Sequence, residues 1–130
     1  MRVQSEREQR AGSRMAANAG GVPLVRIAHR GGGTLAPANS LTGIERSMSF
    51  GIEMIEVDVR RTLDGQLVLS HDERFEGSAV AIRASTLAEL RAELGDVPTL
   101  ADALDLVRGR ASLNLDIKEP DTADDVLAAV

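Results

Sequence analysis

The sequence contains no cysteine and very few aromatic side chains. Without cysteine the chain forms neither a disulfide framework nor a thiolate metal site, so a metal must be bound by oxygen or by its two histidines. Oxygen-rich sites favour magnesium, calcium or manganese over zinc or copper. Aromatic residues make up only 2% of the chain, which argues against a stacking platform for single-stranded nucleic acid.

The chain also lacks a cationic excess and a long apolar run. Its net charge of -5 opposes binding to a polyphosphate backbone, so we expect no nucleic-acid partner. No stretch approaches the roughly 20 apolar residues of a membrane span. Residues 1–21 are charged and lack the apolar centre of a secretory signal. We therefore expect a soluble, cytoplasmic protein, with a disordered tail over 1–21 and one domain over 22–130.

The apolar patterning after this tail predicts strands that alternate with helices. The predicted strands are VPLVRIAH, which we expect to be buried, MIEVDVR, QLVLSHD and LNLDIK. The predicted helices run from Asn39 or Ser40 to about Phe50, from Leu87 to Leu94, from Leu100 to Val107, and onward from a cap at Thr122. This order is typical of an α/β fold with a largely parallel sheet.

Two carboxylates stand out in the second predicted strand. Glu56 and Asp58 are two residues apart among isoleucine and valine, so their side chains emerge on one face. Burying both without a partner would be costly, and a divalent cation would remove that cost. An exposed polar face on an edge strand explains the same spacing equally well.

The Asp64-Gly65 pair predicts a hairpin between this strand and the next. Asp58 and His71 are equidistant from a turn centred between these two residues. They would then face each other with Cβ atoms roughly 5 Å apart. A register slip of one residue would turn His71 to the other face. An ordinary turn hydrogen bond is the alternative role for this histidine.

Two further pairs lie at predicted strand ends. Asp116 and Lys118 share one face of LNLDIK, where they indicate either a functional cluster or a simple salt bridge. His29 and Arg30 enter the glycine-rich turn 31–33, where the backbone can approach a ligand and a guanidinium can fork onto a phosphate.

Taken together, these clusters favour metal-assisted cleavage of a phosphodiester. Two histidines can act as general acid and base, because the free imidazole titrates near neutrality. A divalent ion on carboxylate ligands would neutralise the phosphate and stabilise charge in the transition state.

Five segments resemble the glycerophosphodiester phosphodiesterase family in order and spacing: IAHRGG, LAPANSLTGIERSMSFG, IEVDVRRTLDGQLVLSHD, VPTLADALDLV and LNLDIKEP. The resemblance covers roughly Leu24 to Pro120. It implies the N-terminal portion of a TIM-type (β/α) barrel, and hydrolysis of glycerophosphodiesters to an alcohol and glycerol 3-phosphate with Mg²⁺ or Ca²⁺. The implied partner is thus a small-molecule substrate.

The resemblance also implies a role for each matching residue. His29 and His71 correspond to the catalytic acid and base. Arg30 and Lys118 correspond to the positions that contact the phosphate. The implied metal ligands are Glu56, Asp58 and Asp116.

The chain departs from the family pattern in three respects. Ala38 and Asp116 stand where the family usually has glutamate. A complete barrel needs roughly 250 residues, whereas the chain has 130. We therefore expect an incomplete barrel whose open strand edge calls for self-association or a partner chain. Two alternatives stay open: a catalytically inactive barrel fragment that binds metal, phosphate or a partner chain, and a lyase or hydrolase resembling the phospholipase D-like toxins.

Overall fold

The computed structural model describes residues 16–17 and 23–130. Of the predicted tail, only Ala16–Ala17 belong to the described part of the chain, where they pair with Pro23–Leu24 in a short antiparallel ladder. The rest of the predicted tail lies outside the described residues.

The described residues form strands, α-helices and three short 3₁₀ turns. The strands are β1 (Ala16–Ala17), β2 (Pro23–Leu24), β3 (Ile27–Ala28), β4 (Met54–Arg61), β5 (Leu67–Leu69) and β6 (Ser112–Ile117). The helices are α1 (Leu41–Ser49), α2 (Leu87–Leu94), α3 (Leu100–Val107) and α4 (Ala123–Ala129). The 3₁₀ turns cover His29–Gly31, Ile82–Ala84 and Pro120–Thr122. Among these helices, none combines the length and apolar character needed to span a bilayer.

Strand β4 is the centre of the main sheet. Along one edge it pairs in parallel with β6, with Asp58 beside Asp116. Along the other edge its first residues pair in parallel with β3, and its last residues pair antiparallel with β5. The predicted α/β fold with a largely parallel sheet is therefore confirmed.

The main core lies between one face of this sheet and helices α1 and α3. Strand β4 contributes Ile55, Val57 and Val59, each with no exposed surface. The helices contribute Ile44 and Met48 from α1, and Leu100, Ala103 and Val107 from α3. Because side chains alternate along a strand, the opposite face of β4 carries the polar side chains of this segment.

The predicted helix starts are largely confirmed. Ser40 caps α1 by accepting a hydrogen bond from the backbone N–H of Gly43. Thr99 and Asp102 form a reciprocal capping box at the start of α3. Thr122 precedes α4 as predicted, but its side chain makes no capping bond. Its hydroxyl oxygen is buried and has no hydrogen-bond partner within the described part of the chain.

The prediction that VPLVRIAH forms one buried strand is wrong. The segment contains two separate strands, β2 and β3, and Leu24 and Ile27 are 49% and 54% exposed. Within the described residues β3 pairs only with β4, so one of its edges is uncovered. Apolar composition alone does not distinguish such an edge from a covered strand.

The predicted register of the hairpin is also wrong by one residue. Val59 pairs with Leu69, and the backbone N–H of Thr62 donates to the carbonyl of Gln66, which leaves a three-residue loop over 63–65. Gly65 has a φ of 80°, as three-residue hairpin loops require at their left-handed position. His71 is therefore not the cross-strand neighbour of Asp58, and it lies beyond the end of β5.

Candidate active site

Three carboxylates meet on the polar face of the sheet. Glu56 and Asp58 come from β4, and Asp116 comes from β6, where it is the register partner of Asp58. One carboxylate oxygen from each lies within 4.8 Å of the others. Parallel pairing explains the cluster, because adjacent strands run about 4.8 Å apart and their paired side chains share a face.

Asp58 is the buried member of the cluster, with 1% of its surface exposed. Its carboxylate accepts a hydrogen bond from the side-chain amide of Asn39 at 2.9 Å and lies 2.9 Å from Nζ of Lys118. Burial by itself would raise the pKa of Asp58, but these two hydrogen bonds and the positive charge of Lys118 outweigh it and lower the pKa. Asp58 is therefore held as a carboxylate.

Lys118 bridges two members of the cluster. Its Nζ donates to Asp116 at 2.7 Å and lies 2.9 Å from Asp58, so the simple salt bridge considered from the sequence is present. The hydrogen bond to Asp116 makes the largest contribution to a raised pKa of Lys118, followed by the bond to Asp58. Lys118 thus partly balances the charge of two of the three carboxylates.

His29 and Arg30 lie beside Glu56 at the end of β3. The backbone N–H of Arg30 donates to the Glu56 carboxylate at 2.8 Å, and Nε2 of His29 lies 3.7 Å from the same oxygen. Arg30 has a φ of 49°, a left-handed conformation that non-glycine residues rarely adopt. This turn brings the His29 imidazole, 74% exposed, to the edge of the carboxylate cluster.

His71 reaches the same region from the loop after β5. Its backbone carbonyl accepts from the guanidinium of Arg60, which places this loop next to β4 despite the shifted register. When the His71 ring is protonated, its charge lowers the pKa of Asp58 less than the contacts with Asn39 and Lys118 do. Nδ1 of His71 lies 2.8 Å from the Asp72 carboxylate, and this bond is the largest cause of a lowered pKa of Asp72. Because a carboxylate only accepts, Nδ1 carries the proton and Nε2 of a neutral ring is free to accept one.

Two residues of this region escaped the sequence analysis as site residues. Asn39 was considered only as a helix cap, whereas its side chain contacts Asp58 and Ser40 provides the cap. Arg60 continues the row of alternating residues that begins with Glu56, and its guanidinium donates to the carbonyl of His71. The two-residue spacing was the signal that would have identified Arg60.

Comparison with known proteins identifies the family. Residues 29–128 match the model of the glycerophosphoryl diester phosphodiesterase family. The chain belongs to this family. It is 32% identical over 107 residues to a glycerophosphodiester phosphodiesterase of Caldanaerobacter subterraneus, covering 71% of this chain and 44% of the relative. A Bacillus subtilis glycerophosphodiester phosphodiesterase is 26% identical over 121 residues, covering 76% of this chain and 41% of the relative.

Solved structures of the family share the fold. A glycerophosphodiester phosphodiesterase from Thermotoga maritima superposes with a TM-score of 0.75 at 34% identity, covering 81% of this chain and 49% of that one. An Oleispira antarctica phosphodiesterase in complex with the product sn-glycerol-3-phosphate gives 0.70 at 28% identity, covering 82% and 49%. The chain thus forms the N-terminal portion of a TIM-type barrel, as predicted, and spans about half the length of these proteins.

Proposed function

We propose that this protein is a metal-dependent phosphodiesterase that hydrolyses glycerophosphodiesters to an alcohol and glycerol 3-phosphate. The observation that carries the proposal is the meeting of Glu56, Asp58 and Asp116 within 4.8 Å, with an imidazole nitrogen of His29 3.7 Å from Glu56. The names of the relatives support the substrate class. The structure of the Oleispira antarctica phosphodiesterase in complex with the product sn-glycerol-3-phosphate supports the proposed product.

The carboxylate cluster fits a hard divalent cation. All three groups, Glu56, Asp58 and Asp116, offer oxygen, the ligand that Mg²⁺ and Ca²⁺ prefer. Lys118 supplies only one positive charge to this cluster, so a divalent ion would complete the neutralisation. Bound there, such an ion would polarise a phosphoryl oxygen and stabilise the negative charge that develops during hydrolysis.

The histidines would divide the proton transfers. We assign the base to His71, because Asp72 fixes its proton on Nδ1 and leaves Nε2 to take a proton from the attacking water. His29 would donate a proton to the leaving alcohol oxygen as the phosphorus–oxygen bond breaks. The water oxygen then stays on phosphorus, and the products are the alcohol and glycerol 3-phosphate.

Two cationic side chains would orient the phosphate. The backbone N–H of Arg30 is occupied by Glu56, but Nε of its guanidinium has no hydrogen-bond partner among the described residues. A guanidinium of this kind can bind a phosphate in a bidentate manner. Lys118, which lies between two carboxylates, would hold a phosphate oxygen next to the cation site.

The test is turnover of glycerophosphocholine by the whole chain. Release of glycerol 3-phosphate is measured with Mg²⁺ or Ca²⁺, and again with a chelator, for the wild type, His29→Gln and His71→Gln. We expect activity that requires the cation and falls by about 10²–10⁴-fold in each variant. Absence of turnover in a folded, monodisperse wild-type sample would refute the proposal for this chain. Equal turnover in His29→Gln would refute the role of that residue.

A second candidate function is a catalytically inactive portion of a barrel that binds metal, phosphate or a partner chain. It is favoured by the exposed apolar strand β3, in which Ile27 is 54% exposed. Calorimetric binding of Mg²⁺ without any turnover would support it.

The oligomeric state, the cellular location and the metabolic role of the protein are further predictions. Self-association, or a partner chain that covers β3, is tested by sedimentation of the purified chain. A cytoplasmic location is tested by cell fractionation, and a role in lipid and glycerol metabolism by growth on glycerophosphodiesters.

A further inference from the structure

Arg60 is a buried cation without an assigned role in the proposed chemistry. It lies on β4 two residues beyond Asp58, so the alternation of the strand places it in the same row as Glu56 and Asp58. Only 9% of its surface is exposed. A guanidinium is rarely buried to this extent unless its donors are satisfied, so the partners of Arg60 indicate what it does.

The guanidinium of Arg60 uses three donors on two partners. Nε and Nη2 donate to the backbone carbonyl of His71 at 3.2 and 2.7 Å. Nη1 donates to the carboxylate of Glu119 at 2.7 Å. Glu119 directly follows Lys118, so one side chain on β4 connects the loop of His71 with the segment after β6. The planar fork of arginine allows these bonds at once, and a lysine ammonium does not have this geometry.

The backbone at His71 has few other constraints. Strand β5 ends at Leu69, so the ladder does not reach His71. The backbone N–H of Ser70 donates to the carbonyl of Asp58, and the hydroxyl of Ser70 donates to the carbonyl of Asp72. Among the described residues, only Arg60 donates a hydrogen bond to the backbone carbonyl of His71.

We propose that Arg60 is the positioning residue for His71: its two-pronged hydrogen bond to the His71 carbonyl fixes the backbone that carries the imidazole, and Glu119 holds the guanidinium in place. This inference rests on the proposed function, in which His71 is the base. A misplaced base slows proton transfer more than it weakens substrate binding, because binding depends on other groups. Displacement by about 1 Å can cost about 10²-fold in rate.

The experiment compares Arg60→Lys with Arg61→Lys in the whole chain. Arg61 is the neighbouring residue on β4, and it pairs with Asp121 and Asp125 instead of contacting His71. Both variants keep the charge and lose the fork, so they form a matched pair. The first readout is the ¹H–¹³C spectrum of the histidine rings, which contains only two ring systems because the chain has two histidines. The second readout is kcat and KM for glycerophosphocholine.

We expect Arg60→Lys to shift or broaden the His71 ring signal, to leave the His29 signal in place, and to lower kcat about 10–10²-fold with KM nearly unchanged. Arg61→Lys should leave both readouts as in the wild type. If Arg60→Lys does not fold by circular dichroism, Glu119→Gln takes its place, with a smaller change in the same direction expected because Arg60 stays on the carbonyl.

The two readouts separate this inference from the proposed function. Suppose that the wild type is inactive, and that the His71 ring signal shifts in the Arg60 or Glu119 variant but not in Arg61→Lys. This result would refute the proposed function and support the positioning contact. An active wild type that His71→Gln inactivates, combined with an unchanged kcat and His71 signal in Arg60→Lys, would overturn the inference alone.

Discussion

Asn39 and Asp58 are joined by two hydrogen bonds that run in opposite directions. The side-chain amide of Asn39 donates to the Asp58 carboxylate at 2.9 Å, and the backbone N–H of Asp58 donates to the side-chain carbonyl of Asn39 at 3.0 Å. Only 3% of the surface of Asn39 is exposed, and its backbone N–H donates to the carbonyl of Arg30 at 2.7 Å. One side chain thus connects the turn after β3 with the central carboxylate of the site.

Replacement of Asn39 should destabilise the protein through Asp58. In Asn39→Ala the buried carboxylate loses a donor, which costs about 1–3 kcal/mol. Asn39 also has a φ of 56°, so alanine adds backbone strain that glycine does not. We expect Asn39→Gly to lose only the stability that the hydrogen bonds contribute. The free energy of unfolding of Asn39→Ala should be about 1 kcal/mol lower still. Urea unfolding measures both, and equal stability of Asn39→Gly and the wild type would contradict the importance of the contact.

Stability should fall as the solution is acidified, in part because of Asp58. The pKa of Asp58 is lower in the folded chain than its usual value near 4, so folding favours the carboxylate. This stabilisation is present above the unfolded pKa and is lost as the pH falls through the lower folded pKa. Asp72 and Asp121 are shifted in the same direction and add to the fall.

The contribution of Asp58 is isolated by Asp58→Asn. We expect urea midpoints of the wild type to decrease as the pH falls below about 5, and the variant, although less stable at neutral pH, to decrease less steeply. Parallel curves for the two proteins would show that Asp58 does not titrate with a lowered pKa.

Elements with local signals were predictable from the sequence. Helices α2 and α3 begin and end at the predicted residues. Their starts have a local signal, because Thr86 and Thr99 each begin a capping box whose two residues lie three positions apart in the sequence. The carboxylate pair of Glu56 and Asp58 was predictable for a similar reason, since strand alternation places i and i+2 on one face.

The register of the hairpin and the partners of Arg60 were not predictable from the patterns in the sequence. The Asp64-Gly65 pair indicates a turn, but the hydroxyl of Thr62 selects the three-residue loop by donating to Asp64 and accepting from the N–H of Gln66. Arg60 pairs with Glu119, which lies 59 residues further along the chain, and no local sequence pattern predicts such a pairing.

Gly32 tests how tightly the turn after β3 packs on helix α1. Its φ is 78°, and an added Cβ would collide with Oγ of Ser47 and lie 2.9 Å from the carbonyl of Gly43. Gly65 is the matched control, because its φ is 80° and an added Cβ would meet nothing within 4 Å. We expect Gly65→Ala to cost about 1–2 kcal/mol from backbone strain, and Gly32→Ala to cost about 2–5 kcal/mol from strain and overpacking together.

The double variant Gly32→Ala with Ser47→Ala distinguishes the collision from the strain. Removal of the Ser47 hydroxyl should recover part of the loss, as a coupling free energy in a double-mutant cycle measured by urea unfolding. Strictly additive losses would show that the turn moves away from α1 instead of clashing with it.

Asp116 should limit the affinity for the proposed divalent cation. It is half exposed. The family resemblance implies a glutamate at this position, and aspartate is one methylene shorter, so its carboxylate reaches less far toward Glu56 and Asp58 than a glutamate would. We expect Asp116→Glu to bind Mg²⁺ and Ca²⁺ more tightly than the wild type, and Asp116→Asn to bind them about tenfold or more weakly because one negative ligand is lost. Calorimetric titration gives the dissociation constants, and the rise in thermal midpoint with cation concentration gives an independent estimate.

Asp105→Asn, on the exposed surface of α3 beside Arg108, is the control for a change in net charge alone. Equal cation affinity in Asp116→Asn, Asp105→Asn and the wild type would remove Asp116 from the set of ligands.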